Sequence, residues 1–242
     1  MKLTVMSITP SNEKSGKKEL KYYCEIAGRN EVDIVLFPSS FLPYYKNSSA
    51  FYTQTNIESL VDVIPNDLLV IVGVNEAHKD SFYKSTVSFT SEKILNVHKK
   101  VDIEQHYLDK GFSKGDGSGF QFVWKNVKIN PLECFEILFS KNWDGADIVT
   151  GSIGFGMMAK TNEYNCDYFD QWLNIVKANC LVFNCYAILS CNGQHRDFMT
   201  VAVNSSGELI GMARTTGYFL IDIDLKDFRR DKTPYQQENK RA

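Results

Sequence analysis

Patterns of buried strands alternate with an amphipathic helix pattern early in the chain, and this alternation constrains the fold more than composition does. Val32 to Phe37 is a continuous apolar run that ends at Pro38, as a buried strand ends. Leu68 to Val74 is a second such run. Between Lys14 and Asn30, apolar residues recur at the spacing of one helix face. The alternation is typical of an α/β protein with helices outside its sheets.

The rest of the chain predicts further strands and one more helix. Leu3 to Ile8 reads as an opening strand, and Phe82 to Phe89 with Lys93 to Val97 predicts an antiparallel hairpin. Tyr164 to Asn179 places aromatic and aliphatic residues on one helix face. The other predicted strands are Phe120–Ile129 (one or two), Ala146–Thr150, Leu181–Leu189, Phe198–Val203, Leu209–Met212 and Tyr218–Ile223, and Gly151–Gly156 is predicted to be a flexible loop. Because no repeat or composition break interrupts the chain, we expect a single domain over residues 1–242, with a charged tail from 229 to 242 that is mobile or used in an oligomer contact.

Composition excludes some classes of partner. The chain has 242 residues and a net charge of −2, which gives no electrostatic reason to expect nucleic acid or an anionic membrane. No apolar window approaches the length needed to span a bilayer. Met1 to Pro10 holds an apolar run too short for a secretory signal, and the six cysteines are irregularly spaced. We therefore expect a reduced, cytoplasmic protein with free thiols.

One cysteine stands at a junction that suits a reactive thiol. Cys134 lies within Asn130–Phe139, after a strand pattern and before a short predicted helix. Backbone N–H groups at the start of that helix would favour a thiolate and a developing oxyanion. Since a single cysteine is ordinarily a small buried hydrophobic residue, the functional interpretation depends on the rest of the chain.

Five short stretches occur in an order that carries a family resemblance. They are Asp33–Pro38, His98–Val101, Leu132–Glu136 followed by Gly145–Asp147, Lys177–Asn179, and the late strands with Asn204–Glu208 and Ile221–Asp224. In this order they resemble the nitrilase, or carbon-nitrogen hydrolase, superfamily. The resemblance implies a four-layer α-β-β-α sandwich and a homodimer or larger assembly.

The resemblance also implies roles for individual residues. Cys134 would be the nucleophile, Lys100 the ammonium that stabilises the oxyanion, and the backbone N–H of Phe135 a second donor. Lys99 is the neighbouring alternative, because adjacent lysines on an extended segment point to opposite faces. The implied reaction is hydrolysis of a small linear amide through a thioester, with amidase favoured over nitrilase because nothing in the sequence singles out a nitrile.

The sequence departs from the family where its first glutamate stands. Ser39, followed by Ser40, occupies the position after the Phe-Pro pair. Neither hydroxyl is an effective base at neutral pH, and loss of a general base costs on the order of 10²–10⁴ in rate. The family's second, supporting glutamate falls at Leu108 by spacing, and Asp109 beside it is a candidate substitute.

Three explanations of this departure stay open. Asp109, Glu133 or Glu136 could act as the base, although strand alternation points Glu133 away from the face that carries Cys134. The substrate or a water molecule could carry the proton in a slow hydrolase or an acyl transferase. The chain could also be a catalytically silent homologue that keeps its pocket for binding a ligand or assembling with a partner.

Residues near position 39 are candidates for contact with a substrate. We expect Ser40, Phe41 and Gly154 to line the pocket. The aromatic residues Phe41, Tyr44, Tyr45, Phe51 and Tyr52 could wall that pocket or pack in the core.

Other cysteine and histidine combinations favour no metal and no cofactor. Cys180, Cys185, Cys191 and His195 lack the close cysteine pairing of a structural zinc site. A papain-like pair of Cys134 with His195 is not supported either, because the residues around Cys134 do not match that family.

Overall fold

Two mixed β-sheets lie face to face, and each carries one long helix on its outer side. The computed structural model describes residues 1–10, 16–42, 52–53, 58–154, 166–192, 200–213 and 215–225. The first sheet contains β1 (Lys2–Thr9), β2 (Ile34–Leu36), β3 (Tyr52–Thr53), β4 (Leu69–His78), β5 (Ser81–Phe89), β6 (Ile94–Lys99) and β13 (Gly217–Asp224), in the order β13-β1-β2-β4-β5-β6 with β3 paired to β4. The second sheet contains β7 (Phe122–Trp124), β8 (Val127–Glu133), β9 (Ile148–Ile153), β10 (Tyr186–Cys191), β11 (Thr200–Val203) and β12 (Leu209–Ala213), in the order β12-β11-β10-β9-β8-β7.

Helices are few within the described residues. The α-helices are α1 (Lys17–Arg29), α2 (Gln105–Leu108) and α3 (Cys166–Phe183), and the 3₁₀ helices are Val61–Val63, Cys134–Leu138 and Ser140–Trp143. None of these helices is both long enough and apolar enough to cross a membrane.

Three hydrophobic cores lie between the four layers. Each central strand contributes to two of them, because it buries side chains on both of its faces. Val35 of β2 packs toward α1, while its neighbours Ile34 and Leu36 pack between the sheets. The inner face of α1 contributes Leu20 and three further buried residues to the first of these cores. α3 covers the second sheet in the same way with Trp172 and other apolar side chains. The predicted α-β-β-α sandwich is therefore confirmed.

The parallel strands of both sheets direct their carboxyl ends to one region. In the first sheet β1, β2 and β4 run parallel, and in the second β8, β9 and β10 do so. Ser39 follows β2, Cys134 follows β8 and Gly154 follows β9. Loops at the carboxyl ends of parallel strands are where α/β folds place their sites, so this edge is the place to look for chemistry.

Hydroxyl groups join the two sheets near this edge. Ser190 Oγ donates to the Ile8 carbonyl at 2.6 Å, and Ser152 Oγ donates to the Phe37 carbonyl at 2.9 Å. Thr9 and Thr200 bring their hydroxyl oxygens to 2.6 Å. We call these four hydroxyl groups, together with that of Ser7, which donates to the Leu189 carbonyl at 3.4 Å, the hydroxyl seam. All of them are buried, so the sheets are bonded to each other by polar contacts where the site lies.

The predicted strand Leu181–Leu189 is wrong in its first half. α3 continues to Phe183, and β10 begins only at Tyr186. Asn184 closes the helix with a φ of 51°, and the Cys185 N–H donates to the Cys180 carbonyl at 3.2 Å. A continuous apolar run is compatible with a buried helix as well as with a buried strand, so this pattern led to a wrong prediction for residues 181–183.

The predicted flexible loop Gly151–Gly156 is also wrong where the structure describes it. Gly151 to Ile153 complete β9, and residues 155 and 156 lie outside the described ranges. A Cβ on Gly151 would lie 2.7 Å from Leu189 Cδ2 and 2.8 Å from Ile137 Cδ1. The glycine therefore permits close packing between the sheet and the turn after β8. The predicted tail lies outside the described residues, and the single domain stays a prediction.

The burial of the α1 face predicts a large effect of one truncation. Leu20 is fully buried, so Leu20→Ala should lower the free energy of unfolding by about 2–5 kcal/mol. Urea denaturation followed by circular dichroism measures this, with the exposed Lys18→Ala as control, for which we expect a change within about 0.5 kcal/mol. Equal effects of the two substitutions would contradict the packing of α1 on the sheet.

Candidate active site

The chain turns sharply at Cys134. β8 ends at Glu133, and Cys134 begins a 3₁₀ helix with a φ of 53°, in the left-handed region. This backbone costs a non-glycine residue on the order of 1–2 kcal/mol, so other contacts have to hold it. Trp143 Nε1 donates to the Ile137 carbonyl at 2.9 Å, and Asn142 Nδ2 donates to the Glu136 carbonyl at 2.8 Å.

The Glu136 carboxylate fixes the turn from the inside. It accepts the Glu133 N–H at 3.0 Å and the Val101 N–H at 2.8 Å, and it lies 2.7 Å from His98 Nε2. Burial works to raise the pKa of Glu136, but the hydrogen bonds and charge of His98 and the backbone donors outweigh it and lower the pKa. Glu136, one of the candidate bases, is therefore an ionised anchor between the β6 end and the β8 end.

The Cys134 thiol is buried and protonated at rest. Its sulfur donates to the Gly154 carbonyl at 3.9 Å, and the residue is only 5% exposed. Burial raises the pKa of Cys134, against the opposing effect of the nearby Lys100 ammonium, while the charges of Glu104 and Glu133 raise it further. A thiol in this state requires a base before it can attack a carbonyl carbon.

Lys100 is the cation beside that thiol. Its ammonium is buried and forms a 2.6 Å ion pair with Glu104. Burial, the largest influence, lowers the pKa of Lys100, but the attraction of the thiolate form of Cys134 and of the Glu104 and Glu133 carboxylates outweighs it and raises the pKa. Lys99 points elsewhere, to Glu76 at 3.6 Å. The structure thus brings Lys100, and not Lys99, to Cys134.

The supporting carboxylate of the lysine is Glu104, which the sequence reasoning missed. Spacing had pointed to Leu108 and to Asp109 as its substitute. Asp109 is exposed at the end of α2 and accepts a hydrogen bond from Gln105 at 2.9 Å, so its carboxylate is turned away from the thiol. The available signal was that Glu104 is an acidic residue only four positions after Lys100, in the short segment between β6 and α2.

A second polar group surrounds the position of the missing glutamate. Ser39 Oγ donates to Glu133 Oε1, and Thr86 Oγ1 donates to Glu133 Oε2 at 3.4 Å. Lys84 Nζ donates to Ser40 Oγ and, at 3.5 Å, to Ser39 Oγ. All five side chains are buried. Together with Cys134, Lys100 and Glu104 they form what we call the charged cluster.

The orientation expected for Glu133 was wrong. Its carboxylate lies inside the charged cluster and not on the face opposite Cys134, because the left-handed turn at Cys134 ends the strand alternation there. Burial raises the pKa of Glu133 to about 7, although the Lys84 and Lys100 charges and the Ser39 hydrogen bond act to lower it.

Lys84 is a functional candidate that the sequence reasoning also missed. Burial lowers its pKa to about 8, against the opposing charge of Glu133. The signal was present, since Lys84 is the one charged residue in the Phe82–Phe89 stretch and shares a strand face with Thr86. A lysine at such a position is rarely buried without a partner.

The remaining predicted residues divide between the cluster and the core. Gly154 lies against Ser39, since a Cβ on it would be 3.0 Å from Ser39 Oγ. Ser40 donates to Asn75 Oδ1 at 3.2 Å, and the Phe135 ring lies 6.0 Å from Lys100 Nζ. Phe41 instead packs in the core below α1, with its ring 4.5 Å from that of Phe37, so the structure does not bring it to the cluster.

Several predicted residues cannot be placed. Tyr44, Tyr45, Phe51 and His195 lie outside the described residues, as does the side chain of Tyr52. Within the described residues, no group of three or more His, Cys, Asp and Glu side chains is arranged to hold a metal ion.

The fold and the charged cluster define a class: a four-layer sandwich with a buried cysteine, lysine and carboxylates at one edge of its sheets. The family model described as carbon-nitrogen hydrolase matches residues 4–230. The chain therefore belongs to the carbon-nitrogen hydrolase family.

Individual relatives agree with this assignment at low identity. An (R)-stereoselective amidase from Pseudomonas sp. is 25% identical over 114 residues, which are 44% of this chain and about two fifths (41%) of that relative's length. The carbon-nitrogen hydrolase from Helicobacter pylori G27 superposes with a TM-score of 0.76 at 16% identity, covering 94% of this chain and 90% of that one. An amidase from Nesterenkonia sp. gives a TM-score of 0.72 at 13% identity, covering 99% and 95%. The two structural likenesses show the fold.

The anchoring role of Glu136 predicts a pH-dependent loss of stability. Removing this buried carboxylate in Glu136→Gln should lower the free energy of unfolding at pH 7 by roughly 3–5 kcal/mol. Because the pKa of Glu136 in the folded protein lies below its unfolded value of 4.5, this contribution is present above pH 4.5 and is lost as pH falls through the folded pKa. Urea titrations at pH 7 and pH 3 measure the difference, which should shrink at the lower pH. The exposed Glu25→Gln is the control, and a similar loss there would contradict the anchoring role.

Proposed function

We propose that the chain is an amidase-like hydrolase that cleaves small linear amides through a thioester on Cys134. The observation that carries the proposal is the placement of a buried Cys134 sulfur in the electrostatic reach of the Lys100 ammonium, with Glu104 paired to that lysine. A cysteine used only for packing has no need of two buried ionised partners, whose desolvation is costly.

The residues divide the reaction into two displacements. The Cys134 sulfur, once it has lost its proton, attacks the amide carbonyl carbon, and the carbonyl electrons move to oxygen. The Lys100 ammonium and the Phe135 backbone N–H stabilise this oxyanion. Collapse breaks the C–N bond, and the amine leaves with a proton. Water then attacks the thioester, releasing the carboxylic acid and regenerating Cys134.

Further expectations belong to this proposal. The partner would be a small-molecule amide, and the family resemblance implies a homodimer or larger assembly. The cytoplasmic location is expected from the free, irregularly spaced cysteines. Amidase chemistry is favoured over nitrile hydrolysis because the relatives described above include two amidases.

Substitution of Lys100 tests whether its ammonium group contributes to catalysis. Lys100→Met should lower kcat/KM for small aliphatic amides by about 10²–10³-fold, because the developing oxyanion loses its cation. Ammonia release over a panel of acetamide, propionamide and butyramide measures this. Lys99→Met is the matched control and should retain most of the activity, since Lys99 pairs with Glu76 outside the charged cluster. Equal losses in the two variants, or activity that survives in Cys134→Ala, would overturn the proposal.

A second candidate function is favoured by one observation, the serine at position 39. A silent homologue would have lost its base there and would keep the pocket for a ligand or for assembly with a partner.

Restoring a glutamate distinguishes the two functions. Ser39→Glu introduces a carboxylate into space that Glu133 already reaches, so we expect this variant to hydrolyse amides no faster than the natural protein. Initial rates on the same amide panel provide the comparison. Hydrolysis that is found only in Ser39→Glu would favour the silent homologue.

A further inference from the structure

We propose that Glu133 is the general base for Cys134 and that Lys84 is a positioning residue which keeps this carboxylate ionised. The inference rests on the proposed amidase function. It assigns to another residue the role of general base, which the Ser39 hydroxyl cannot perform. In this assignment the carboxylate that acts as base lies at the end of β8, and not in the loop after β2 where the family has its first glutamate.

The first support is the place of the carboxylate. Ser39 Oγ donates to Glu133 Oε1, so the acid group lies where a longer side chain at position 39 would extend. Gly154 connects this point to the thiol. Its carbonyl accepts from Cys134 Sγ at 3.9 Å, and a Cβ on it would lie 3.0 Å from Ser39 Oγ. The sulfur and the Ser39 hydroxyl therefore both lie against Gly154, and the hydroxyl links this point to the Glu133 carboxylate.

The second support is charge. A carboxylate that is 1% exposed is stable as an anion only beside a cation, and a lysine that is 2% exposed requires an anion in turn. Lys84 donates hydrogen bonds to both serine hydroxyls, and the Ser39 hydroxyl donates one to Glu133. The buried Lys84 and Glu133 charges therefore stabilise each other, and the small side chain of Ser39 leaves space for both.

The third support is that the other candidate carboxylates are engaged elsewhere. Glu104 is paired with Lys100 at 2.6 Å, and Glu136 is held by three backbone N–H groups and His98. Asp109 is exposed and accepts from Gln105. The Glu133 oxygens, in contrast, accept from hydroxyl groups, which can rotate as the carboxylate gains and loses a proton.

The proton balance closes over one turnover. The Glu133 carboxylate takes the proton from Cys134 Sγ as the C–S bond forms, and the resulting carboxylic acid gives it to the departing amine as the C–N bond breaks. Glu133 then takes a proton from the attacking water. When the thioester C–S bond breaks, that proton returns to the sulfur, and the enzyme is ready for another amide.

The test compares three variants in amide hydrolysis. Glu133→Gln should lower kcat/KM by about 10²–10⁴-fold. Glu133→Ala should be similarly impaired, and Ser39→Glu combined with Glu133→Ala should recover at least about 10-fold of that loss, because it moves the carboxylate back to position 39. A merely structural Glu133 would not be rescued in this way. Glu92→Gln, an exposed substitution, is the control. Full activity in Glu133→Gln overturns the assignment.

The pH profile tests Lys84 separately. The groups that face Glu133 are Lys84 and Thr86 from β5, Lys100 after β6, Ser39 after β2, and Cys134 and Glu136 from its own turn. kcat/KM should rise with pH through about 7, as Glu133 ionises. Lys84→Met should move the rising limb to higher pH, because the charge that lowers the Glu133 pKa is gone. An unmoved rising limb overturns the role of Lys84.

Alkylation of Cys134 keeps this inference separate from the proposed function. Intact-protein mass spectrometry with iodoacetamide measures the alkylation rate in the natural protein and in Glu133→Gln. Slower alkylation in Glu133→Gln, in a protein that hydrolyses none of the amides, would refute the amidase and support Glu133 as the base. Equal alkylation rates combined with equal amide hydrolysis would retain the amidase and refute Glu133.

Discussion

The site depends on the hydrogen bonds that the Glu136 carboxylate accepts. It accepts N–H groups from two chain segments that belong to different sheets, Val101 after β6 and Glu133 at the end of β8. The left-handed turn at Cys134 follows at once, so the same carboxylate sets the direction of the sulfur. Without these hydrogen bonds between the sheets, the position of Lys100 relative to Cys134 would not be fixed.

Charge balance explains why so many ionisable groups are tolerated in the interior. Lys84 and Lys100 bring two positive charges, and Glu133 and Glu104 bring two negative ones, all in side chains with little or no exposure. Burial alone would neutralise each of them, and it does raise the pKa of Glu133 and lower that of Lys84. Their mutual attraction limits those shifts. The pKa values of this carboxylate and this ammonium consequently lie near neutrality, where proton transfer is useful.

Sequence periodicity was sufficient to predict the layers, because strand and helix faces repeat locally. It failed at Leu181–Leu189, where an apolar run is compatible with either structure. Motif order predicted roles for Cys134 and Lys100 and drew attention to the serine at position 39. It could not predict that Glu133 and Cys134 point into the same cluster, since their relative direction depends on the left-handed φ angle at Cys134. Lys84 was missed because only the fold brings its partner Glu133 to it. Glu104 was missed although its partner Lys100 stands four residues before it in the sequence.

The hydroxyl seam has a mechanical consequence. Its donors on β9 and β10 bond to backbone carbonyls of the opposite sheet, so each contact defines one alignment of the two sheets. A shear displacement by a single residue, about 3.3 Å along a strand, would break these bonds together. Apolar side chains between sheets tolerate small slippage far better than directional bonds do. The seam therefore joins the two sheets rigidly at the edge where they share the charged cluster.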